Sequence, residues 1–230
     1  MLFDVFSSII SGILISFGGL LFICSKWIYK SELFDFIGSI LFSIGLLIIC
    51  KCKFLLFTGK VGFMFEYNNE WSKKYCSSWF KLLLILILNI SSAIGFGILT
   101  NLSFRKLQVM NIISSIVSNK IKLSMFDDYV KCFLQSIFCG SCVHFAVKSF
   151  SYNCIFCVLF ISCFVYNGFQ HCIANAFYFA ATFNFDVKML INEAVVITGN
   201  IIGTIPVAGL FNLLSETKTE DTDSGMDDII

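Results

Sequence analysis

Residues 168–175 read Gly168-Phe169-Gln170-His171-Cys172-Ile173-Ala174-Asn175. This octet lies in a stretch from Ser149 to Phe185 that contains no Asp, Glu, Lys or Arg. The stretch is much longer than the ~20 residues that cross a bilayer once as a helix. An ionisable ring is costly to keep in lipid, so we expect His171 to face a pore or a polar network. We therefore predict that this segment is interrupted and that His171 lies near the interruption.

The composition is typical of a membrane protein. Apolar residues make up 57% of the 230 residues and charged residues 13%, whereas soluble domains carry about 25% charged residues. Six apolar segments follow one another, at 5–25, 36–50 with an extension to 65, 82–104, 132–147, 149–185 and 194–215. Alternation of polar and apolar residues is absent, and only helices or closed barrels can span lipid. The sequence therefore predicts an all-α membrane protein with six transmembrane helices.

The six predicted helices divide into two halves of three, joined by a polar loop from Arg105 to Asp128. The second helix is expected to be interrupted between residues 50 and 59, and the fifth at the histidine octet. Three crossings followed by three give the halves opposite orientations, and interruptions at matching places predict a central binding site. We expect residues 1–215 to form the channel domain and residues 216–230 an acidic, disordered tail.

The sequence gives no sign of enzyme chemistry. It suggests no set of nucleophile, base and orienting group, and it contains no glycine-rich phosphate loop. Cys154 and Cys157 have CxxC spacing, but they lie in an apolar segment without a second such pair. We expect them to pack as small apolar residues rather than to bind zinc. No enzymatic activity, metal, cofactor or nucleic-acid partner is expected.

Three motifs resemble those of the formate/nitrite transporter family. The histidine octet resembles the signature of that family's fifth helix, residues 56–59 (Leu56-Phe57-Thr58-Gly59) resemble its second-helix loop, and residues 199–203 (Gly199-Asn200-Ile201-Ile202-Gly203) resemble its sixth helix. The resemblance implies an aquaporin-like fold, assembled as a homopentamer with one pore per protomer. It also implies passage of small monovalent anions such as formate, nitrite, lactate or hydrosulfide, together with a proton. We expect a location in the plasma membrane.

The resemblance also implies roles for individual residues. The family's pore histidine falls on His171, the threonine that hydrogen-bonds to it falls on Thr58, and its pore asparagine falls on Asn200. The hydrophobic constrictions fall on Phe42 and Leu46 on one side, and on Leu56, Phe57, Val143 and Phe164 on the other.

Several residues depart from the family pattern. Gln170 stands where the family usually has an acid, and Leu55 where it often has glutamate. The family's fourth-helix lysine would fall near Ser124, and Lys122 is the lysine closest to that position. These changes bear on the choice of substrate and on proton coupling.

Two further residues have open interpretations. His144 stands where the family has a cysteine, and we expect it to pack near the pore, with a metal or haem site shared with His171 as the alternative. Glu193 is expected to be a solvated charge at a helix end or a charge at the pore mouth.

A physical argument links the predicted histidine to transport. A bare anion pays a large desolvation cost to cross a ring of Phe and Leu side chains, whereas a neutral acid crosses far more easily. Histidine suits proton exchange because its pKa lies near neutrality. We therefore predict a proton-linked anion channel. Two other functions remain open: a pore for water, ammonia or hydrogen sulfide, which Gln170 and Leu55 favour, and a non-conducting membrane subunit.

Overall fold

The computed structural model describes residues 2–67, 79–104, 108–121, 126–183 and 185–224. The regular elements in these ranges are all helical. They are α1 (Leu2–Ile28), α2 (Glu32–Cys52), α3 (Phe57–Lys60), a 3₁₀ helix (Val61–Phe65), α4 (Trp79–Phe104), α5 (Val109–Lys120), α6 (Phe126–Ser149), α7 (Cys154–Tyr166), α8 (Cys172–Ala181) and α9 (Val187–Ser224).

Five helices within the described ranges are long and apolar enough to cross a membrane. The qualifying stretches are Leu2–Ile28, Glu32–Cys52, Trp79–Phe104, Asp127–Ser149 and Val187–Ser215. The apolar helices α7 and α8 are shorter, and residues 167–171 separate them. These helices agree with the membrane protein predicted from composition.

Helices α2 and α7 end in the same backbone motif. Lys53 follows α2 with a φ of 56°, and Gly168 follows α7 with a φ of 68°. In both places the next amide donates to the carbonyl five residues earlier, at 3.0 Å. This pattern is the Schellman motif, in which a left-handed residue ends a helix and turns the chain away from the helix axis. The left-handed conformation is sterically unfavourable for Lys53, which has a Cβ atom, but not for Gly168.

Two glycines allow equally close packing in the two halves of the chain. A Cβ atom on Gly12 of α1 would overlap the backbone carbonyl oxygen of Asn89 in α4. A Cβ atom on Gly140 of α6 would overlap the backbone carbonyl oxygen of Asn200 in α9. Each glycine therefore brings a helix against the backbone of its neighbour at the level of an asparagine.

The connection between α4 and α6, predicted from the sequence to be a polar loop, contains a helix. Helix α5 spans Val109–Lys120, and Val109, Ile113 and Val117 form its buried face. These residues repeat every four positions, which is helical spacing, so the signal was present in the sequence. The prediction of a loop was wrong for this part of residues 105–128.

Helix α9 continues past the predicted domain boundary at residue 215, and its backbone is helical as far as Ser224. Residues 225–230 lie outside the described ranges. The division into a channel domain and an acidic disordered tail stays a prediction.

The candidate pore and its histidine

His171 begins helix α8 and is almost completely buried, with 2% of its surface exposed. Its backbone is extended, with φ −120° and ψ 118°, as is usual for a residue that caps a helix N-terminus. The side chain supplies the cap, because Nδ1 accepts a hydrogen bond of 3.2 Å from the backbone N–H of Ala174. Nε2 lies 3.0 Å from Oγ1 of Thr58 in α3. The ring therefore joins α8 to a short helix from the other half of the chain.

These two contacts determine which nitrogen carries the proton of the neutral ring. A backbone N–H can only donate, so Nδ1 must present its lone pair to Ala174. The ring proton then lies on Nε2 and is donated to the Thr58 hydroxyl oxygen. A proton added to Nδ1 would face the N–H of Ala174 and the positive end of α8. The surroundings therefore favour the neutral, Nε2-protonated ring.

Leu56 occupies the matching position in the first half. It stands at the start of α3 with φ −110° and ψ 125°, close to the values of His171. Leu56 follows the left-handed Lys53 by three residues, as His171 follows Gly168. The two matching positions thus carry an imidazole in one half and an apolar side chain in the other.

One buried amide, that of Asn200, binds both sides of the second interruption and holds it in place. We call this arrangement an asparagine bridge. Asn200 Oδ1 accepts from the N–H of Cys172 at 3.1 Å. Its Nδ2 donates to the carbonyl of Gln170 and to that of Ser136 in α6, both at 2.9 Å. Asn200 therefore binds the residues directly before and after His171. The amide makes no hydrogen bond with the ring among the described contacts.

Asn89 makes the same three kinds of bond in the first half. Its Oδ1 accepts from the N–H of Phe57 at 2.8 Å. Its Nδ2 donates to the carbonyl of Leu55 at 3.1 Å and to that of Ser8 in α1 at 2.7 Å. Each asparagine bridge thus flanks one central residue, Leu56 in the first half and His171 in the second.

A cavity of about 200 Å³ lies against His171. Phe42, Phe164 and Lys120 also line it. The Phe164 ring stacks on the imidazole with centroids 5.8 Å apart, and Phe42 meets Phe164 edge-on at 5.9 Å. We call this space the histidine cavity.

A second cavity, of about 490 Å³, is lined by the matching residue Leu56. Leu46, Lys53 and Lys60 also contribute to its wall. We call it the lysine cavity. The histidine cavity and the lysine cavity share no lining residue.

The predicted constriction residues are all buried, but they are grouped differently from the expectation. Phe42 and Phe164 line the histidine cavity, whereas Leu46 and Leu56 line the lysine cavity. Phe57 and Val143 are buried and belong to the lining of neither cavity. Thr58 and His171 are in direct contact. The roles of these residues in a pore stay predictions.

The family model for formate/nitrite transporters matches residues 4–214 of the sequence. The chain belongs to the formate/nitrite transporter family. Two solved structures have a similar fold, each with a TM-score of 0.77. The first, a pentameric formate channel with formate bound, is 19% identical, and the match covers 93% of this chain and 96% of that one. The second, an FNT family ion channel, is 17% identical, with 92% and 89% covered. No curated protein sequence matches the chain.

Lys120 lines the histidine cavity and was not among the residues predicted for the site. It is the last residue of α5, and its Nζ donates to Oε1 of Gln170 at 3.1 Å. Burial lowers the pKa of Lys120 to about 8, although Cys139, Cys132 and then Glu193 oppose the shift. Lys122 and Ser124, the positions considered for the family's fourth-helix lysine, lie outside the described residues. The family pattern pointed to positions 122–124, whereas the amine that reaches Gln170 comes from the end of α5.

Glu193 is not the solvated charge that the sequence suggested. Both of its carboxylate oxygens are buried, and neither has a hydrogen-bond partner. The preceding residue, Asn192, donates to the backbone carbonyl of Lys120 at 3.0 Å. The last residue of α5 is therefore hydrogen-bonded to α9 at the residue that precedes this buried carboxylate.

His144 belongs to a separate ionic cluster rather than to the histidine cavity. Its Nε2 lies 2.9 Å from Oε1 of Glu66, and Lys148 Nζ donates to Oε2 of the same carboxylate at 2.9 Å. Burial alone would raise the pKa of Glu66, but the hydrogen bonds from His144 and Lys148 hold it below its usual value. Within the described ranges, no group of three or more His, Cys, Asp or Glu residues could hold a metal. The expectation that His144 packs near the pore stays a prediction.

Proposed function

We propose that this protein is a channel for small monovalent anions of the formate, nitrite, lactate or hydrosulfide type, and that each anion moves with a proton. One observation carries the proposal. The hydrogen bond between Thr58 and His171 joins the two halves of the chain at the wall of a cavity, beside an aromatic barrier. A buried polar pair at this place would be costly without a role in passage.

We propose that α7 and α8 together make one crossing, and that α2 continues its own crossing through α3. The chain then crosses the membrane six times in two inverted halves, in an aquaporin-like arrangement. The matching Schellman motifs and asparagine bridges support this proposal, because both recur at the same spacing in the two halves. Interrupted helices expose backbone groups, which are tolerated where they line a cavity.

In the proposed mechanism an anion enters the histidine cavity, where the positive charge of Lys120 attracts it. The proton that neutralises the anion arrives through cavity water. His171 stays neutral, because its Nδ1 is engaged with Ala174. Its Nε2–H donates to Thr58, which leaves the proton of the Thr58 hydroxyl free to turn toward the substrate. The pair thus orients the anion at the barrier.

The neutral acid then crosses the apolar barrier. Phe42 and Phe164 form its face toward the histidine cavity, and Leu46 and Leu56 its face toward the lysine cavity. Because these side chains offer no polar group, the neutral acid passes at a much lower desolvation cost than the anion. In the lysine cavity, Lys53 and Lys60 favour the return of the negative charge.

We also propose that the protein assembles as a homopentamer, as its structural relative does. The test of function is uptake into liposomes that contain the purified protein. Formate, nitrite, lactate and hydrosulfide are offered at two external pH values, and swelling is recorded with a neutral solute. Proton-linked uptake that is greater at the lower pH supports the proposal. Electrically silent swelling without anion uptake indicates a neutral-solute pore, and no flux indicates a non-conducting subunit.

A further inference from the structure

The amine of Lys120 lies in a site with too little negative charge from its direct neighbours. A protonated lysine has three N–H donors, and the hydrogen bond found for this amine goes to the neutral side chain of Gln170. The ring of Tyr178 lies 6.0 Å away and offers a weak cation–π contact. Asn175 also donates to Oε1 of Gln170, at 2.9 Å, so Lys120 shares its acceptor.

The carboxylate of Glu193, in turn, lacks hydrogen-bond donors. Its two oxygens are buried without a hydrogen bond, and a buried carboxylate is costly unless it is paired or protonated. Lys120 is the cation with which its charge interacts among the described residues. Helices α5 and α9 are also joined directly here by the bond from Asn192 to the Lys120 carbonyl.

The other titratable groups around this site do not supply a counter-charge. Cys132 and Cys139 approach from α6, and Cys172 and Tyr178 from α8, but buried thiols and phenols are neutral at physiological pH. Lys26 lines the same cavity, but it is paired with Asp35 at 2.6 Å. His171 is held neutral by its contacts with Thr58 and Ala174. Within the described ranges, the site therefore combines one cation, Lys120, with one carboxylate, Glu193.

We propose that Glu193 is the counter-charge of Lys120 and that this pair binds the proton that accompanies the anion. Gln170 stands where the family usually has an acid, and α9 supplies a carboxylate, Glu193, that interacts with Lys120. This proposal rests on the proposed function, because it assigns the proton-binding site of the same pathway.

The charge balance explains how the pair couples the two ions. With one proton shared between them, the pair has no net charge, whether Lys120 or Glu193 holds that proton. A second proton leaves Glu193 neutral and Lys120 positive. The histidine cavity then has an uncompensated positive charge that attracts an anion. Proton binding and anion binding therefore assist each other, as thermodynamic linkage requires.

The first test is independent of transport. Nitrogen NMR of protein with isotope-labelled lysine in lipid nanodiscs follows the protonation of the Lys120 amine, which the K120Q variant assigns. We expect Glu193→Gln to move the titration of this amine at least one pH unit lower, because the carboxylate no longer favours its charge. Asp4→Asn is the matched control, because it removes a carboxylate that pairs with Lys81 instead. An unchanged Lys120 titration in Glu193→Gln would overturn the proposal.

The second test returns the carboxylate to its position in the family. In the double variant Glu193→Gln/Gln170→Glu, a carboxylate oxygen replaces the amide oxygen that lies 3.1 Å from Lys120. We expect it to restore the Lys120 titration and the pH profile of uptake that Glu193→Gln loses. A titration that remains shifted in the double variant contradicts the proposed counter-charge.

A further measurement keeps the proposal testable if the Glu193 variants fail to fold. In K120Q, which retains Glu193, we expect an infrared band of a protonated carboxyl group to increase at neutral pH relative to wild type. An unchanged band contradicts the pairing. If the amine titrations change as expected but neither the wild type nor any variant transports anions, the result supports the pairing of Lys120 with Glu193 and contradicts the proposed channel function.

Discussion

At the level of single residues, the Thr58–His171 contact is the feature most specific to the proposed pore. The backbone N–H of Ala174 fixes the imidazole tautomer, so the Nε2–H bond to Thr58 has a defined direction. Removing the hydroxyl leaves a buried donor without an acceptor, which costs about 1–3 kcal/mol. We expect Thr58→Val to reduce the uptake rate about tenfold or more, the factor that corresponds to ~1.4 kcal/mol. Initial rates in proteoliposomes measure this change.

Thr58→Ser is the matched variant, because it keeps the hydroxyl and removes only a methyl group. We expect it to retain most of the wild-type rate. Equal losses in Thr58→Val and Thr58→Ser would mean that packing rather than the hydrogen bond supports passage.

Lys120 gives a prediction about pH. Burial lowers its pKa to about 8, so the amine is charged below that pH and loses its charge above it. We expect the anion concentration for half-maximal uptake to rise severalfold between pH 7 and pH 9. In Lys120→Gln it should be high at pH 7 and change little over the same range. A wild-type rise that persists in full in Lys120→Gln assigns the effect to another group.

At the level of secondary-structure elements, the asparagine bridges hold the two interruptions open. Loss of either amide leaves two buried carbonyls and one buried N–H without that partner. We expect Asn89→Ala and Asn200→Ala each to destabilise the fold by at least about 2 kcal/mol. Asn167→Ala is the control, because the Asn167 side chain is exposed and its amide bonds only to Cys163 in the preceding helical turn. Melting temperatures in detergent should fall clearly for the first two variants and little for the control.

The close packing of α6 against α9 predicts how substitutions of glycine change stability. A methyl group on Gly140 would overlap the backbone of Asn200, whereas one on Gly209 of α9 meets no atom within 4 Å. We expect Gly140→Ala to lower the melting temperature strongly. Gly209→Ala should leave it unchanged or raise it, because alanine favours a helix interior by roughly 0.5–1 kcal/mol over glycine. Similar effects of both substitutions would contradict the packing of α6 against α9.

The elements differ in how far sequence could predict them. The apolar segments indicated the membrane helices, because hydropathy is a local signal. The contact between Thr58 and His171 joins residues far apart in sequence and was expected only from the resemblance to the family. Helix α5 has the spacing of an amphipathic helix, but its polar residues gave it the composition of a loop. The hydrogen bond between Lys120 and Gln170 joins residues far apart in sequence, and the carboxylate oxygens of Glu193 are buried by neighbouring helices. Burial of this kind depends on tertiary packing, which a single sequence does not display.

At the level of the whole molecule, many large apolar side chains lie on the surface of the protomer. Phe80 is 79% exposed on α4 and Phe138 is 58% exposed on α6. In a membrane protein such surfaces face lipid or neighbouring subunits. We expect native mass spectrometry from detergent to give the mass of five chains. A monomer or dimer that retains full transport would contradict the proposed pentamer.

Substitution of the histidine tests whether the Thr58–His171 pair supports passage at the barrier. His171→Ala removes both the bond to Thr58 and the side-chain cap of α8, so folding must be checked by the oligomer mass. In a folded pentamer, we expect this variant to lose most of its proton-linked uptake.

The most direct measurement follows external pH while liposomes that contain the protein are given an inward formate gradient. The proposed mechanism predicts that the outside solution becomes alkaline as formate enters, because each anion takes up a proton, and that His171→Ala largely abolishes this signal. Formate entry that carries an electrical current and leaves the external pH unchanged would contradict passage through the apolar barrier as a neutral acid.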